Sequence, residues 1–162
     1  VLDVAAGGGR HAAFFAARGC EVTAIDRDIA RLAGRPGIRA VEADLEDGSP
    51  WPPGDRRFDL VVVANYLHRP LFPALIGAVA PGGALVYETF AVGNEDYAGP
   101  SNPDFLLRPG ELLEAVRGRL TVLAYESGYT ETPRPKVVQR IAAVDVAADA
   151  ADGAVPVIPP PG

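Results

Sequence analysis

Cysteine is almost absent from this sequence of 162 residues, and histidine is scarce. Cys20 is the single cysteine and there are two histidines, so the chain lacks a disulfide framework and the ligands of a thiolate or imidazole metal cluster. A lone cysteine among apolar neighbours is typical of core packing in proteins of a reducing compartment. We therefore expect a cytoplasmic protein without a metal site.

Long hydrophobic runs and an excess of positive charge are also lacking. No apolar stretch approaches the roughly 18 residues that a membrane-spanning helix requires. The net charge is -6, whereas nucleic-acid-binding proteins concentrate lysine and arginine on one surface. A small molecule is therefore the expected partner, rather than a membrane or a nucleic acid, and the oligomeric state stays open.

Short apolar runs alternate with helical stretches along the chain, a pattern typical of a parallel sheet covered on both faces. Strands are predicted at residues 1–5, 21–26, 38–42, 58–65 and 84–90. An antiparallel pair at residues 120–125 and 137–146 is predicted to close the sheet. Helices are predicted at residues 10–18, 28–33, 70–79 and 108–118. The predicted fold class is α/β, a Rossmann-like, doubly wound and mostly parallel sheet with a C-terminal antiparallel strand pair.

Glycine and proline mark the predicted connections. Gly19 is expected to end the first helix in the left-handed conformation, and residues 81–83, Pro-Gly-Gly, are expected to form a turn. Residues 48–57 are expected to be a loop and residues 91–107 a functional lid, because Gly and Pro recur in both. The first helix is apolar almost all round, so we expect it to be buried on both sides.

The two ends of the chain differ in composition. Residues 147–162 consist mostly of Ala, Asp, Gly and Pro, so we expect a disordered tail there and one domain over residues 1–146. The sequence starts with Val1 rather than methionine, and its first five residues already have the pattern of a buried strand. We therefore expect a truncated N-terminus that has lost a helix covering the site.

The strongest local signal is a predicted strand that runs into Gly7–Gly9 and opens directly onto a helix. Glycines let the backbone approach a ligand closely, and free amides at a helix start attract a carboxylate or a phosphate. Gly7, Gly9 and Ala12 also satisfy the G-x-G-x-x-A pattern of dinucleotide-binding proteins. The loop alone therefore leaves two classes of nucleotide cofactor open.

Three features favour a cofactor that carries an amino acid over a dinucleotide. Asp3 lies four residues before Gly7, and a fixed negative charge there suits an ammonium better than a pyrophosphate. Asp44 follows the third predicted strand, where it can accept a hydrogen bond from an adenine amine. The antiparallel pair at the C-terminal edge also differs from an all-parallel dinucleotide domain.

The run from Asp3 to Gly9 resembles the first motif, D-x-G-x-G-x-G, of the class I S-adenosylmethionine methyltransferases, with Ala5 in place of the first glycine. Alanine fits that position if its backbone is not left-handed. The resemblance covers residues 1–146. Within the class, residues 65–70, 81–83, 88–90 and 107–112 look most like the tellurite-resistance-type branch.

The resemblance implies S-adenosylmethionine as the cofactor and assigns residues to its parts. Gly7 and Gly9 would flank the methionine moiety while Asp3 orders its amino group. Asp26 would hold the ribose hydroxyls, since a carboxylate accepts two hydrogen bonds at once. Asp44 would bind the adenine amine. The implied cofactor-binding residues are Asp3, Ala5, Gly7, Gly9, Asp26, Arg27, Asp44, Leu45 and Asn65.

Catalysis of methyl transfer requires alignment more than a covalent group, because the donor itself carries the activation. If a base is needed, His68 is the first candidate, with Tyr66 and Glu88 next. Glu88 stands at an apolar strand end, so its carboxylate should have a partner. His11 is expected to be a packing residue. The alternatives are an NAD(P)-dependent Rossmann oxidoreductase and a non-catalytic domain of the same fold.

Overall fold

The computed structural model describes residues 1–146, and the tail predicted at residues 147–162 lies outside them. Within the described residues, a seven-stranded sheet forms the centre of the fold. Its strands are β1 Leu2–Val4, β2 Val22–Asp26, β3 Ile38–Glu42, β4 Phe58–Ala64, β5 Val79–Phe90, β6 Thr121–Thr130 and β7 Lys136–Val144. The α-helices are α1 Arg10–Ala16, α2 Phe72–Gly77 and α3 Glu111–Val116.

The strand order is β3-β2-β1-β4-β5-β7-β6. Strands β1 to β5 pair in parallel, and β7 is antiparallel to both β5 and β6. The predicted fold class is therefore confirmed, including the antiparallel pair at the C-terminal end. Because β1 to β5 run the same way, their carboxyl ends meet at one edge of the sheet, where open α/β sheets bind ligands.

Two hydrophobic clusters cover the two faces of the sheet. The larger one joins β4 and β5 to α2 and α3, and it contains Val61, Val63 and Tyr87, all nearly inaccessible to solvent. The smaller one packs Ala12 of α1 against Val22 and Ala24 of β2. Burial on both faces explains why the central strands are continuous runs of apolar residues rather than alternating ones.

The first helix departs from its prediction. It ends at Ala16, and Gly19 follows in the expected left-handed conformation with a φ of 83°. Ala12 is buried, but Phe14 is 47% exposed, so the helix is covered on one side only. In the described structure no second layer packs on the Phe14 side, because α1 lies at the outer face of the sheet.

The helix predicted at residues 28–33 is not formed, and this prediction was wrong. A single α-type hydrogen bond joins the amide of Ala33 to the carbonyl of Ile29 at 2.9 Å. Gly34 then takes a φ of 75°, and Pro36 follows it, which together stop the helix after one turn.

The turn predicted at residues 81–83 is also wrong, because these residues belong to the long strand β5. The pairing of β5 with β4 shifts register there, so the segment is an irregularity inside the strand. A Cβ at Gly83 would lie 2.9–3.0 Å from three backbone oxygens, so this glycine permits a close approach of strands. The helix predicted to reach residue 79 correspondingly ends at Gly77.

The remaining connections are close to expectation. Residues 48–57 form a loop with turns, as predicted. Strand β6 runs to Thr130, five residues beyond its predicted end, and lies exposed at the edge of the sheet. Within residues 1–146, the structure has no helix with the length and apolar character to cross a membrane.

Candidate functional site

Three neighbouring cavities open at the carboxyl ends of the parallel strands. The acid-lined cavity, of about 250 Å³, is bounded by Ala5, Asp26, Arg27, Ala43, Asp44, Leu45, Glu46 and Tyr66. The glycine-loop cavity, of about 410 Å³, is bounded by Asp3, Ala5, Ala6, Gly7, Gly8, Arg10, His11, Ala64 and Asn65. The cation-lined cavity, of about 560 Å³, is bounded mainly by α1, β4, β5 and β7, and its residues are described below.

These cavities form a continuous series. Ala5 lines both the acid-lined cavity and the glycine-loop cavity. The glycine-loop cavity and the cation-lined cavity share Arg10, His11, Ala64 and Asn65. An elongated ligand in the first two cavities would therefore end where the third begins.

Asp26 ends β2 and directs its carboxylate toward the glycine loop. Its Oδ2 accepts a hydrogen bond from the backbone amide of Gly7 at 2.7 Å. Its Oδ1 accepts one from the amide of Asp28 at 3.0 Å, which fixes the side chain in place. The carboxylate thus lines the acid-lined cavity and is bonded to the loop that bounds the glycine-loop cavity.

The glycine loop is held in a left-handed turn with φ values of 54° at Gly7 and 74° at Gly9. A Cβ at Gly7 would meet no atom within 4 Å, so the space above this residue is open to a ligand. Gly9 is buried, and a Cβ there would lie 2.3 Å from Leu32 Cδ2. Gly9 therefore allows close packing, and Gly8 rather than Gly9 lines the cavity.

Ala5 does not satisfy the condition under which alanine was expected to fit the motif. Its φ is 52°, so it is in the left-handed region that favours glycine. The backbone amide of the next residue, Ala6, donates to the carbonyl of Ile25 at 2.9 Å. This bond to β2 anchors the strained residue between the two strands.

Asp3 is almost fully buried at the base of the glycine-loop cavity. Its Oδ2 accepts a hydrogen bond from the backbone amide of Ala12 at 2.9 Å. Burial raises the pKa of this carboxyl to about 6, and the nearby charge of Asp26 adds to the increase. The hydrogen bond from Ala12 opposes it. A positively charged ligand above Asp3 would relieve the cost of this buried charge.

Tyr66 faces the acid-lined cavity from the end of β4. Its hydroxyl is buried and has no partner at good hydrogen-bonding geometry within the part of the chain that the structure describes, although the Glu46 carboxylate is close enough to interact with it. Burial, followed by the carboxylates of Glu46 and Asp44, raises its pKa above the ordinary value for tyrosine. A buried hydroxyl without a well-aligned partner costs free energy, which a polar ligand group in this cavity would recover.

Glu88 has the partners that its apolar surroundings predicted. One carboxylate oxygen pairs with Lys136 Nζ, and the other accepts a hydrogen bond from Arg140 Nε at 2.6 Å. Burial alone would raise the pKa of Glu88, but the hydrogen bonds from both cations outweigh it and hold the pKa below its usual value. Glu88 is thus an ionised and weakly basic group in the wall of the cation-lined cavity.

The positions of the two histidines differ from those that the sequence predicts. His68 precedes the short 3-10 helix Arg69–Leu71 and lines none of the three cavities. His11 instead lines both the glycine-loop cavity and the cation-lined cavity. Burial, followed by the charge of Arg10, lowers the pKa of His11, so its ring favours the neutral form. His11 thus borders both cavities, whereas the sequence predicts only a packing role for it.

The basic residues of the cation-lined cavity were missed by the sequence analysis. Lys136 and Arg140 lie four residues apart on β7, so they share one face of the strand. That spacing was visible in the sequence. Their pairing with Glu88 was not, because it depends on the register that places Glu88 opposite Arg140.

The segment predicted as a lid, residues 91–107, is hydrogen-bonded to the sheet. It contains two short 3-10 helices, Asn94–Asp96 and Pro103–Phe105. Asn94 is fully buried, and its Oδ1 accepts a hydrogen bond from the amide of Val137 at 3.0 Å while its Nδ2 donates to Pro100 O at 3.3 Å. Asn94 thus anchors the segment to β7.

Eight of the nine predicted cofactor residues line the acid-lined or the glycine-loop cavity. They are Asp3, Ala5, Gly7, Asp26, Arg27, Asp44, Leu45 and Asn65. The ninth residue, Gly9, is buried and lines neither cavity.

Comparison with known proteins gives a family match and a set of similar folds. The family model described as "Methyltransferase domain" matches residues 1–83. No curated protein sequence matches this chain at a significant level. Among solved structures, TehB from Haemophilus influenzae has a TM-score of 0.69 at 18% identity. The match covers 88% of this chain and 57% of TehB, so the chain spans little more than half of that protein.

Two further structures have the same fold. An S-adenosylmethionine-dependent methyltransferase from Mesorhizobium loti has a TM-score of 0.68 at 22% identity, covering 88% of this chain and 89% of that one. The 1,6-didemethyltoxoflavin-N1-methyltransferase of Burkholderia thailandensis, with its acceptor and S-adenosylhomocysteine bound, has a TM-score of 0.62 at 20% identity. That match covers 90% of this chain and 70% of the enzyme.

Proposed function

This chain belongs to the family of methyltransferase domains, and from that premise we propose that it moves a methyl group from S-adenosylmethionine to a small-molecule acceptor. The observation that carries the proposal is the carboxylate of Asp26, hydrogen-bonded to the amide of Gly7 between the acid-lined and glycine-loop cavities. A ribose in that position would join an adenine in one cavity to a methionine moiety in the other.

The residues present fit this cofactor. The hydroxyl of Tyr66 and the carboxylates of Asp26 and Asp44 offer hydrogen bonds to a polar nucleoside. The open space above Gly7 admits a ligand against the backbone, and the buried carboxylate of Asp3 suits the ammonium of an amino acid.

When bound, S-adenosylmethionine supplies an electrophilic methyl group: the acceptor's lone pair forms the new bond, and the sulfur keeps the electrons of the broken one. The chain's own residues align the partners and exclude water. Asn65 and His11 stand where the glycine-loop and cation-lined cavities meet, so they border the path between donor and acceptor. Any proton that the acceptor releases passes to a base or to solvent.

The predicted bases differ in their fitness for that step. Tyr66 and Glu88 border the cavities, but the raised pKa of Tyr66 keeps its hydroxyl protonated and unable to accept a proton near neutrality, and the lowered pKa of Glu88 makes it a weak base. His68 lies away from the cavities, and His11 has a neutral ring at their junction. We propose His11 as the base when one is required, with His68→Ala as the comparison variant in a turnover assay.

Family membership argues against the nicotinamide-dependent oxidoreductase, because the glycine loop was the only feature that favoured it. A non-catalytic domain of the same fold remains the competing proposal. Release of S-adenosylhomocysteine in the presence of an acceptor separates the two, since a binding module takes up the cofactor without turnover.

Titration calorimetry with S-adenosylhomocysteine tests the proposal directly. We expect binding that weakens about tenfold or more in Asp26→Asn, because the amide lacks the negative charge and replaces one of the two acceptor oxygens by an NH2 donor. Asp59→Asn is the matched control, since Asp59 is exposed at the start of β4 and lines none of the three cavities. Absence of binding at millimolar ligand would contradict the proposal.

The tellurite-resistance-type branch is a narrower proposal. Its support is the set of sequence runs at residues 65–70, 81–83, 88–90 and 107–112. Loss of tellurite from a solution that contains the chain and S-adenosylmethionine would support this placement. The single cysteine likewise supports the cytoplasm as the compartment, which cell fractionation would test.

A further inference from the structure

The cation-lined cavity has a charge opposite to that of the molecule. Its ionised side chains are one carboxylate, Glu88, and four cations: Arg10, Arg134, Lys136 and Arg140. The whole chain has a net charge of -6. Positive charge is therefore concentrated around one cavity in an acidic protein, and such a cavity attracts anions.

The carboxylate of Glu88 does not neutralise this cavity. It is shared between Lys136 and Arg140, and Arg140 also pairs with Glu126 at 3.0 Å. Within residues 1–146, neither Arg134 nor Arg10 has an ion-pair partner, and Nη2 of Arg10 lies 3.4 Å from Nε2 of His11. Two cations are thus available to a ligand.

The same cavity has an apolar wall that faces solvent. Phe14 of α1 is 47% exposed, with the Arg18 guanidinium 3.5 Å from its ring centre, and Val86 of β5 is 42% exposed. Val62 and Phe15 extend this wall. Apolar surface that stays open to water costs free energy, which a ligand with an apolar body would recover. The cavity therefore combines an apolar wall with a rim of positive charge.

The position of the cavity connects it to methyl transfer. It shares Arg10, His11, Ala64 and Asn65 with the glycine-loop cavity, in which the methionine moiety of the cofactor is proposed to lie. A ligand in the cation-lined cavity would therefore face the donor end of the cofactor. This placement rests on the proposed function.

We propose that the methyl acceptor is a small organic anion with an apolar body, such as an aromatic carboxylate, bound in the cation-lined cavity. The body packs against Phe14 and Val86, and the anionic group lies between Arg10 and Arg134. Inorganic oxyanions have the charge but not the apolar body, and neutral aromatics have the body but not the charge.

The test compares two probes of equal size, 4-hydroxybenzoate and 4-hydroxybenzamide, titrated into the chain saturated with S-adenosylhomocysteine. The benzoate should bind about tenfold or more tightly than the benzamide, because charge-assisted hydrogen bonds are stronger than neutral ones. In Arg134→Gln this ratio of affinities should fall several-fold. In Arg119→Gln the ratio should stay as in the wild type, because Arg119 is exposed and lines none of the cavities.

Several results would overturn the proposal. Equal affinity for the two probes would show that the cavity does not select for negative charge. The same change of the affinity ratio in both arginine variants would show that Arg134 has no specific role in that selection. If tellurite displaced the benzoate and bound more tightly, the ligand would not need an apolar body. If the chain were a dimer in sedimentation experiments and bound neither probe, the apolar wall would be a contact surface for a second copy of the chain. The prior titration with S-adenosylhomocysteine reports on the proposed function separately from all of these.

Discussion

At the residue scale, the buried carboxylate of Asp3 lowers the stability of the fold while it suits the binding of a positively charged ligand. Its carboxyl is buried at the base of the glycine-loop cavity, and burial raises its pKa from 3.8 to about 6. The folded protein therefore holds the proton more tightly than the unfolded chain does. Its contribution to folding is favourable at low pH and is lost as the pH rises from about 4 through about 6.

Replacement of Asp3 by asparagine should separate these two roles. The amide can still accept the hydrogen bond from Ala12, while the buried charge is removed. At pH 7 we expect a higher free energy of unfolding, by at most about 3 kcal/mol, since the shift of about two units corresponds to about 1.4 kcal/mol each. The gain should shrink toward pH 4. Urea unfolding at both pH values measures it.

The affinity for S-adenosylhomocysteine should change in the opposite sense and decrease in Asp3→Asn. A purely structural aspartate would leave that affinity unaltered, and this outcome would contradict the role in binding the ammonium. Asp55→Asn serves as the control, because Asp55 is exposed in the loop before β4.

Ala5 offers a second prediction at the same scale. Its left-handed backbone, with a φ of 52°, costs alanine more than glycine. Ala5→Gly should therefore raise the free energy of unfolding, by up to about 1 kcal/mol, despite the greater entropy of glycine in the unfolded chain. Ala13→Gly in the middle of α1 should lower it by about 1 kcal/mol. Denaturant titration of both variants gives the signs, and destabilisation by Ala5→Gly would contradict the strain.

At the scale of elements, the segment from residue 91 to 107 is held to the fold at several points, and one of them is a buried side chain. Asn94 satisfies the amide of Val137 on β7 and the carbonyl of Pro100 within its own segment. Other bonds also hold the segment: the amide of Ala91 donates to the carbonyl of Val137, and the Arg69 guanidinium donates to the carbonyls of Asp104 and Leu106. The side chain of Asn94 is thus one of several links between the proposed lid and the rest of the fold.

Asn94→Ala should destabilise the fold by about 1–3 kcal/mol, because two buried polar groups lose their partner. Hydrogen exchange at the amide of Val137 should become faster. Asn102→Ala is the matched control in the same segment, since Asn102 is exposed and only accepts a local hydrogen bond from the amide of Asp104. Unchanged exchange at Val137 would show that the segment is anchored elsewhere.

The elements also show where local sequence patterns succeed and fail. Strand β3 has the predicted bounds, because five residues of regular pattern lie between clear turn signals. The helix predicted at residues 28–33 failed because Gly34 and Pro36 stop it after one turn. The Pro-Gly-Gly run at residues 81–83 resembled a turn, yet close contact with β4 keeps it inside a strand.

At the scale of the molecule, the parallel sheet collects the site from distant parts of the chain. Asp3, Asp26, Asp44, Asn65 and Glu88 each lie in or just after one of the five parallel strands. Because the carboxyl ends of parallel strands share one edge, sequence alone was sufficient to predict that the first four would converge. Their order in the sheet also divides the site, with the acids of the acid-lined cavity on one side and the cations of the cation-lined cavity on the other.

The sequence by itself determined the fold class, the glycine loop and the acids that follow the strands, because these depend on short-range periodicity and on residue type. The tertiary structure decided the left-handed state of Ala5, the place of His11 at the cavity junction and the pairing of Glu88 with Arg140, 52 residues away. These depend on strand register and on packing between elements, and such long-range choices leave no local signal in the chain.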